Sequence, residues 1–272
     1  MDAMIEVQDL AFSYDGAPFI EGISFRVGAG EFCGIVGPNG SGKTTLLKLF
    51  SKLLKPEEGS IRLGGKEIAS MSVRDMAKEV AVVPQETSIA FPFRVAEVVL
   101  MGRSPYLGGF RFEGAEDLEV AQRAMELTGT ADLAERYFFE LSGGEKQMVI
   151  IARALAQQAG VMLLDEPTAF LDIRHQVEIY DLIKGLNLEK GLTVVSVLHD
   201  LNLASLYCDW LIMLDRGRVY RMGKAEEVLT YANIREVYGT EVYITRNDLT
   251  GRLNILPMSP LLMGLDQAGP ES

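Results

Sequence analysis

Apolar and polar residues alternate along 4–10 and again along 22–27, the period of a half-buried strand, with a turn at Tyr14-Asp15-Gly16 between them. The pattern predicts a small antiparallel entry sheet. Apolar runs at 80–83 and 161–164, and the largely apolar 192–198, read instead as strands buried on both faces, and stretches of helical spacing alternate with them. A helix is predicted over 44–54, stopping before Pro56, then a strand over 59–63 into the Gly64-Gly65 turn and a helix over 72–78. Between 88 and 158 the strand signal disappears. There 95–102, 116–128 and 145–157 carry helical spacing, as in Leu118, Ala121, Met125 and Thr128, while 104–114, with Pro105, Gly108, Gly109 and three aromatics, reads as a loop exposing apolar surface. A helix over 172–188 puts Ile173, Val177, Tyr180, Ile183 and Leu186 on one face, with Asp172 as its cap and His175 at the surface. Runs 210–214 and 218–222 form a hairpin, 225–229 and 234–238 are short helices, and 241–245 with 252–256 is a last hairpin. The fold class is α/β: one domain with its core at 1–87 and 159–256, a helical insertion at 88–158, and a tail at 257–272 expected to be mobile.

The first buried run to break into glycines is 35–49, Ile-Val-Gly-Pro-Asn-Gly-Ser-Gly-Lys-Thr-Thr-Leu-Leu-Lys-Leu. Gly37, Gly42, Lys43 and Thr44 occupy the fixed positions of a phosphate-binding loop, with Pro38, Asn39, Gly40, Ser41 and Thr45 filling it out. Glycine lets the backbone approach an anion, the following helix offers orphan N–H groups and a positive dipole end, lysine reaches the terminal phosphates, and the hydroxyl holds Mg²⁺.

In open α/β sheets ligands collect beyond the carboxyl ends of the strands, so the residues that close the other runs gain weight. Val161-Met-Leu-Leu ends on Asp165 and Glu166. Asp165 can bind the Mg²⁺ that Thr44 also holds, and Glu166 can polarise a water for attack on a phosphoryl group. Gln85 ends 80–83 and is placed to touch whatever is bound near Lys43; a plain loop residue is the other reading. His199 ends 192–198, where it either faces a γ-phosphate oxygen or serves as a core-edge histidine. Tyr14 either stacks on a base or packs on its own sheet. Ser142-Gly143-Gly144-Glu145 opens a helix with the physics of the first loop but no lysine, and local residues alone favour a helix cap there.

Composition narrows the partners. The 272 residues carry 26 Lys and Arg against 38 Asp and Glu, a net charge of −12, which argues against nucleic acid. An apolar content of 48% suffices for a core, no apolar run approaches the roughly 20 residues that span a bilayer, and the start lacks a basic leader, so a cytosolic chain is expected. Cys33 and Cys208 are expected as buried free thiols, and no Cys/His group has metal-ligand spacing.

Taken together, Tyr14, 37–45, Gln85, 141–147, 161–166, 169–172 and His199 resemble the ordered motif set of ATP-binding cassette (ABC) transporter ATPases, over nearly the whole chain. The resemblance implies the ABC ATPase fold, a P-loop NTPase core with an antiparallel β subdomain and an inserted α-helical subdomain. It implies ATP and Mg²⁺ as cofactors, Tyr14 as the base-stacking aromatic, Gln85 and His199 as switch residues, and Gln85 beside Thr44 and Asp165 at the metal. It further implies a head-to-tail homodimer in which Ser142, Gly143, Gly144 and Glu145 close over ATP held by Lys43 of the second copy, with Asp172 at the seam. Glu145 stands where many members have Gln, and Met148 where Arg is frequent. Segments 91–106 and 171–176 look like the importers of iron-siderophore, haem and cobalamin compounds. That implies permease subunits docking near Gln85 to Arg111 on the cytoplasmic face of the membrane, and a separate solute-binding protein. A soluble ATPase of the same fold without a permease is the alternative; a small-molecule kinase gives no reason for Ser142-Gly-Gly.

Overall fold

The computed structural model describes residues 3–85, 87, 89–107, 112–259 and 261. Strand β1 (Ala3–Tyr14) outruns its predicted end because Asp9, at φ 46°, forms a bulge pinned by its N–H donating to Ser24 Oγ at 2.8 Å, after which pairing with β2 (Ala17–Gly28) resumes. Strand β3 (Phe32–Val36), buried throughout, runs into the phosphate loop, and α1 (Lys43–Phe50) follows. The helix is shorter than predicted: Lys52 turns the chain at φ 62°, and the Leu54 N–H returns to the Lys48 carbonyl at 3.1 Å. Strands β4 (Glu58–Leu63) and β5 (Lys66–Glu67) complete a four-stranded antiparallel sheet of order β2-β1-β4-β5.

Helix α2 (Val73–Glu79) leads to β6 (Val80–Val83). Between this strand and β7 (Val161–Asp165) lie α3 (Val95–Leu100), α4 (Ala115–Leu127) and α5 (Gly143–Ala156), joined by short 3₁₀ turns. Then come α6 (Ile173–Lys190), β8 (Thr193–Val197), α7 (Leu201–Tyr207), β9 (Trp210–Asp215), β10 (Arg218–Gly223), α8 (Ala225–Val228), α9 (Tyr231–Tyr238) and the hairpin β11 (Val242–Arg246) with β12 (Leu253–Pro257). The main sheet has the order β10-β9-β3-β8-β7-β6, parallel except for the β9–β10 edge pair.

Strand period divides the interior into two cores. Phe32, Val36, Met162, Leu164 and Val194 face α5 and α6 residues such as Ile150, Ile151, Ile179 and Tyr180. Cys33, Ile35, Leu163, Val195 and Val197 face Leu46, Leu49 and Phe50 of α1 and the antiparallel sheet. This stacking brings the carboxyl ends of β3, β8, β7 and β6 side by side, which is what gathers the site.

Several expectations change. Ile173 is 79% exposed and Val177 lies outside, since α6 buries Ile179, Tyr180, Ile183 and Leu186 instead. Leu118 also faces out of α4, while Ala121 and Met125 are buried. Residues 104–106, expected in a loop, belong to a 3₁₀ helix over 101–106. Arg103 is buried there, paired with buried Asp117 at 3.0 Å and stacked 4.0 Å from the Tyr106 ring, so that Tyr106 turns inward and Phe112 remains exposed. Gly108–Gly109 and the third aromatic, Phe110, lie outside the described residues, as does the expected tail beyond residue 259 apart from exposed Leu261. Cys33 and Cys208 are buried free thiols. Among the described residues no helix is long and apolar enough to cross a membrane, and no His/Cys/Asp/Glu group has the geometry of a metal cluster.

Candidate nucleotide site

The loop between β3 and α1 has its shape because two glycines sit where other residues cannot. At Gly37, φ is 151° and a Cβ would lie 2.3 Å from the Leu214 carbonyl oxygen; at Gly42, φ is 105° and a Cβ would meet Ile20 Cδ1 at 2.6 Å. The β9–β10 turn buttresses the loop from outside, the Gly217 N–H donating to the Ser41 carbonyl at 3.1 Å. No local sequence pattern announces that contact. Lys43 is 5% exposed, and its ammonium donates to the carbonyls of Gly37 at 2.8 Å and Pro38 at 3.0 Å. Burial pushes its pKa below the ordinary lysine value, against the pull of Glu166 and Asp165. A cation curled onto its own loop and stripped of water is a receptor for an anion. Ser41 Oγ, buried and without a partner among the described residues, is a second unfilled polar position in the same cradle. The loop thus fits a phosphate chain.

Asp165 and Glu166 turn to different partners. Thr44 Oγ1 donates to Asp165 Oδ1 at 3.0 Å, and burial pushes the Asp165 carboxyl up despite that bond. The hydroxyl and the carboxylate make a hard oxygen pair of the kind Mg²⁺ prefers, with Gln85 close by through Glu166. Gln85 Nε2 donates to Glu166 Oε2 at 2.8 Å, and His199 Nε2 pairs with Glu166 Oε1, so both carboxylate oxygens are engaged. Glu166 itself holds φ at 50°, a left-handed conformation unusual for a non-glycine residue, and its N–H donates to the Val197 carbonyl at 3.3 Å. Four strand ends therefore supply one cluster of Lys43, Thr44, Gln85, Asp165, Glu166 and His199.

Tyr14 is the last residue of β1 rather than part of a loop. Its ring meets Phe12 and Phe19 edge to face at 4.8 and 5.2 Å, and its hydroxyl pairs with Thr45 Oγ1 at 3.2 Å, leaving it 42% exposed. It packs on its own sheet and still offers a face beside the phosphate helix.

The opening of α5 lies apart from this cluster. Ser142 caps the helix, and Glu145 returns to accept from both the Ser142 N–H and its hydroxyl at 2.8 Å, the reciprocal cap that the sequence suggests. Ser142 and Gly143 are exposed; Gly144 is buried beneath the His175 ring. Asp172 caps α6 and is exposed, its Oδ1 accepting from the His175 N–H at 2.9 Å. Among the described residues no hydrogen bond or ion pair joins Ser142 or Gly143 to the phosphate loop.

Residues 20–169 match the ABC transporter family model. The chain belongs to the ABC transporter family. It is 45% identical over 239 residues to the ABC transporter ATP-binding protein YvrA of Bacillus subtilis, covering 88% of this chain and 54% of YvrA. It is 38% identical to the cobalamin import ATP-binding protein BtuD of Halobacterium salinarum, covering 93% and 63%, and thus spans less than two thirds of either protein. The hemin import ATP-binding protein HmuV of Streptomyces coelicolor is 42% identical, with 89% of this chain and 85% of HmuV covered. Among solved structures, a chain of an inward-facing ABC transporter described as of the metal-chelate type superposes with a TM-score of 0.85 at 28% identity, over 96% of this chain and all of that one. The dimeric cassette MJ0796 gives a TM-score of 0.73 at 31% identity, over 82% and 99%.

Proposed function

We propose that this member of the ABC family is the ATP-hydrolysing subunit of an importer for an iron-siderophore, haem or cobalamin-type compound. It works as a homodimer bound to permease subunits on the cytoplasmic face of the membrane, with a solute-binding protein delivering the cargo. The observation that carries the catalytic part is the Glu166 carboxylate, held between Gln85 and His199 beside the Thr44–Asp165 pair at the mouth of the phosphate loop.

In this reading the N–H groups that open α1 and the Lys43 ammonium grip the phosphates, and Tyr14 presents its free face to the base. Thr44 and Asp165, with the Gln85 carbonyl, would hold Mg²⁺, whose charge would offset that of the phosphates. Glu166 releases one of its two donors and accepts a proton from water, whose oxygen forms the new bond to the γ-phosphorus as the bond to the β–γ bridging oxygen breaks; ADP and phosphate leave. His199, freed from Glu166, donates to a γ-phosphate oxygen. The second copy contributes Ser142, Gly143, Gly144 and Glu145 over the phosphates, with Asp172 across the seam. The dimeric MJ0796 cassette supports that arrangement by its fold.

The cargo class rests on the similarity to HmuV and BtuD, hemin and cobalamin import proteins, and to the metal-chelate type transporter. Permease docking is supported by a groove of about 510 Å³ between the end of α1, α2, α5 and the 3₁₀ helix, edged by exposed Leu53, Val73 and Met101. Part of the segment from Gln85 to Arg111 borders it; residues 86, 88 and 108–111 lie outside the described residues. Glu166→Gln is the test of catalysis. Hydrolysis by the assembled transporter should fall at least about a hundredfold, since general-base removal costs roughly 10² to 10⁴, while ATP binding persists. A variant hydrolysing at the parental rate overturns the assignment.

A further inference from the structure

The sequence places His175 on the outer surface of α6, with no part in any motif. In the structure its imidazole lies directly over Gly144: a Cβ on that glycine would come 2.5 Å from His175 Cδ2, 2.7 Å from Nε2 and 2.9 Å from Cγ. Gly144 has no positive φ, so its backbone does not demand glycine; the ring above it does. The ring cannot swing aside freely. Its Nδ1 lies 2.8 Å from Asp172 Oδ1, the same oxygen that accepts the His175 N–H at 2.9 Å, and because a carboxylate only accepts, Nδ1 carries the proton. The neighbouring residue acts in the same sense, with Leu171 Cδ2 at 3.7 Å from where a Gly143 Cβ would be. These contacts cross from the helices inserted between β6 and β7 to the segment that follows β7. They tie together two exposed surfaces, Ser142-Gly143 and the Asp172 loop, that otherwise belong to different parts of the chain.

We propose that His175 is a positioning residue: filling the space over Gly144 while held by Asp172, it locks the Ser142–Glu145 turn and the Asp172 loop into one preformed surface for the second copy. The proposal rests on the dimeric reading above. Locking the two surfaces before association removes an ordering cost from dimer closure, so its effect falls on ATP-dependent dimerisation and not on nucleotide binding by one chain.

Two measurements on the full chain test it. In thermal unfolding, Gly144→Ala should lower Tm by roughly 5 °C when His175 is present, through overpacking, and by far less in a His175→Ala background. Equal losses in both backgrounds overturn the contact. In the Glu166→Gln chain, which holds ATP without turnover, His175→Ala should raise the ATP concentration for half-maximal dimer by about tenfold, a coupling of ordinary size for residues in contact. His175→Asn, whose side-chain amide can still donate to Asp172, should restore most of that shift, and monomer affinity for a fluorescent ATP analogue should stay at the parental value. A shift under about twofold, no rescue by Asn, or a parallel loss of monomer binding each overturns the role. If the Glu166→Gln parent forms no ATP-dependent dimer, the dimeric reading fails and the role falls with it, while the thermal cycle still decides the contact.

Discussion

Thr44 holds Asp165, Gln85 and His199 hold Glu166, and Lys43 is bound to its own loop, whereas Ser142 and Gly143 stand exposed at a turn closed by the Ser142–Glu145 cap. The electrostatics of the two regions run in opposite directions. At Lys43 and Asp165, desolvation works against charge: it lowers the Lys43 pKa and raises that of Asp165. At the exposed turn, hydrogen bonds favour charge: the Ser142 N–H holds Glu145 below the ordinary carboxylate range, and the His175 N–H does the same for Asp172. One half therefore gains when a ligand brings compensating charge, and the other is already at rest and lacks only a surface to meet. On the proposed dimeric reading, that difference separates binding, a property of one chain, from hydrolysis, a property of two.

The separation breaks first at Lys43. Lys43→Ala should abolish measurable ATP binding and hydrolysis in a filter or fluorescence assay, while leaving the nucleotide-free chain as stable as the parent or more so, because a desolvated ammonium is removed. A clear loss of Tm would mean that the lysine holds the loop together and is not strained against it. Ser142→Arg probes the other half. Monomer binding of ATP should match the parent, and hydrolysis in the assembled transporter should drop by at least about a hundredfold, on the scale of losing a group that completes the site in the transition state. If binding by the monomer fell as well, the turn would belong to the same half as Lys43.

How much of this could be read in the residues differs along the same line. The phosphate loop, Asp165 and Glu166 are legible because period and strand ends are local, while Gln85 and His199 stay open between site and loop or core edge until the parallel order β3-β8-β7-β6 brings those ends together. The length of β1 is not legible, since the Asp9 bulge depends on Ser24 fifteen residues on. Ile173 and Val177 fit a helical stripe by spacing, but burial along α6 begins only at Ile179 and leaves them outside. His175 over Gly144 and Gly217 under Ser41 were invisible, being single contacts between distant segments that leave no periodic trace. The helix cap favoured for Ser142 on local grounds is present, and it coexists with exposure of the turn.

Tyr14 sits between the two extremes, tied to Thr45 by its hydroxyl yet 42% exposed. Tyr14→Ala should weaken ATP binding by about tenfold, the scale of one aromatic stacking contact, whereas Tyr14→Phe keeps the ring and should stay within about twofold of the parent. Equal losses for both would assign the effect to the Thr45 hydrogen bond instead of the face.

The smallest effect tests the electrostatic contrast itself. Asp165 is raised in the folded chain, so its carboxyl favours folding at low pH, and that contribution is lost as pH rises from the ordinary aspartate value of 3.8 through the raised one. Asp172 and Glu145 are lowered, so theirs is present above the ordinary values of 3.8 and 4.5 and lost as pH falls. Asp165→Asn keeps an oxygen to accept from Thr44 and removes the titration. In urea unfolding without nucleotide or Mg²⁺, the variant's stability relative to the parent should therefore increase as pH is raised above 3.8 and then level off, leaving it the more stable chain at neutral pH. A difference independent of pH would mean that Asp165 is not held against its charge, and the cluster would then be no more strained than the exposed turn.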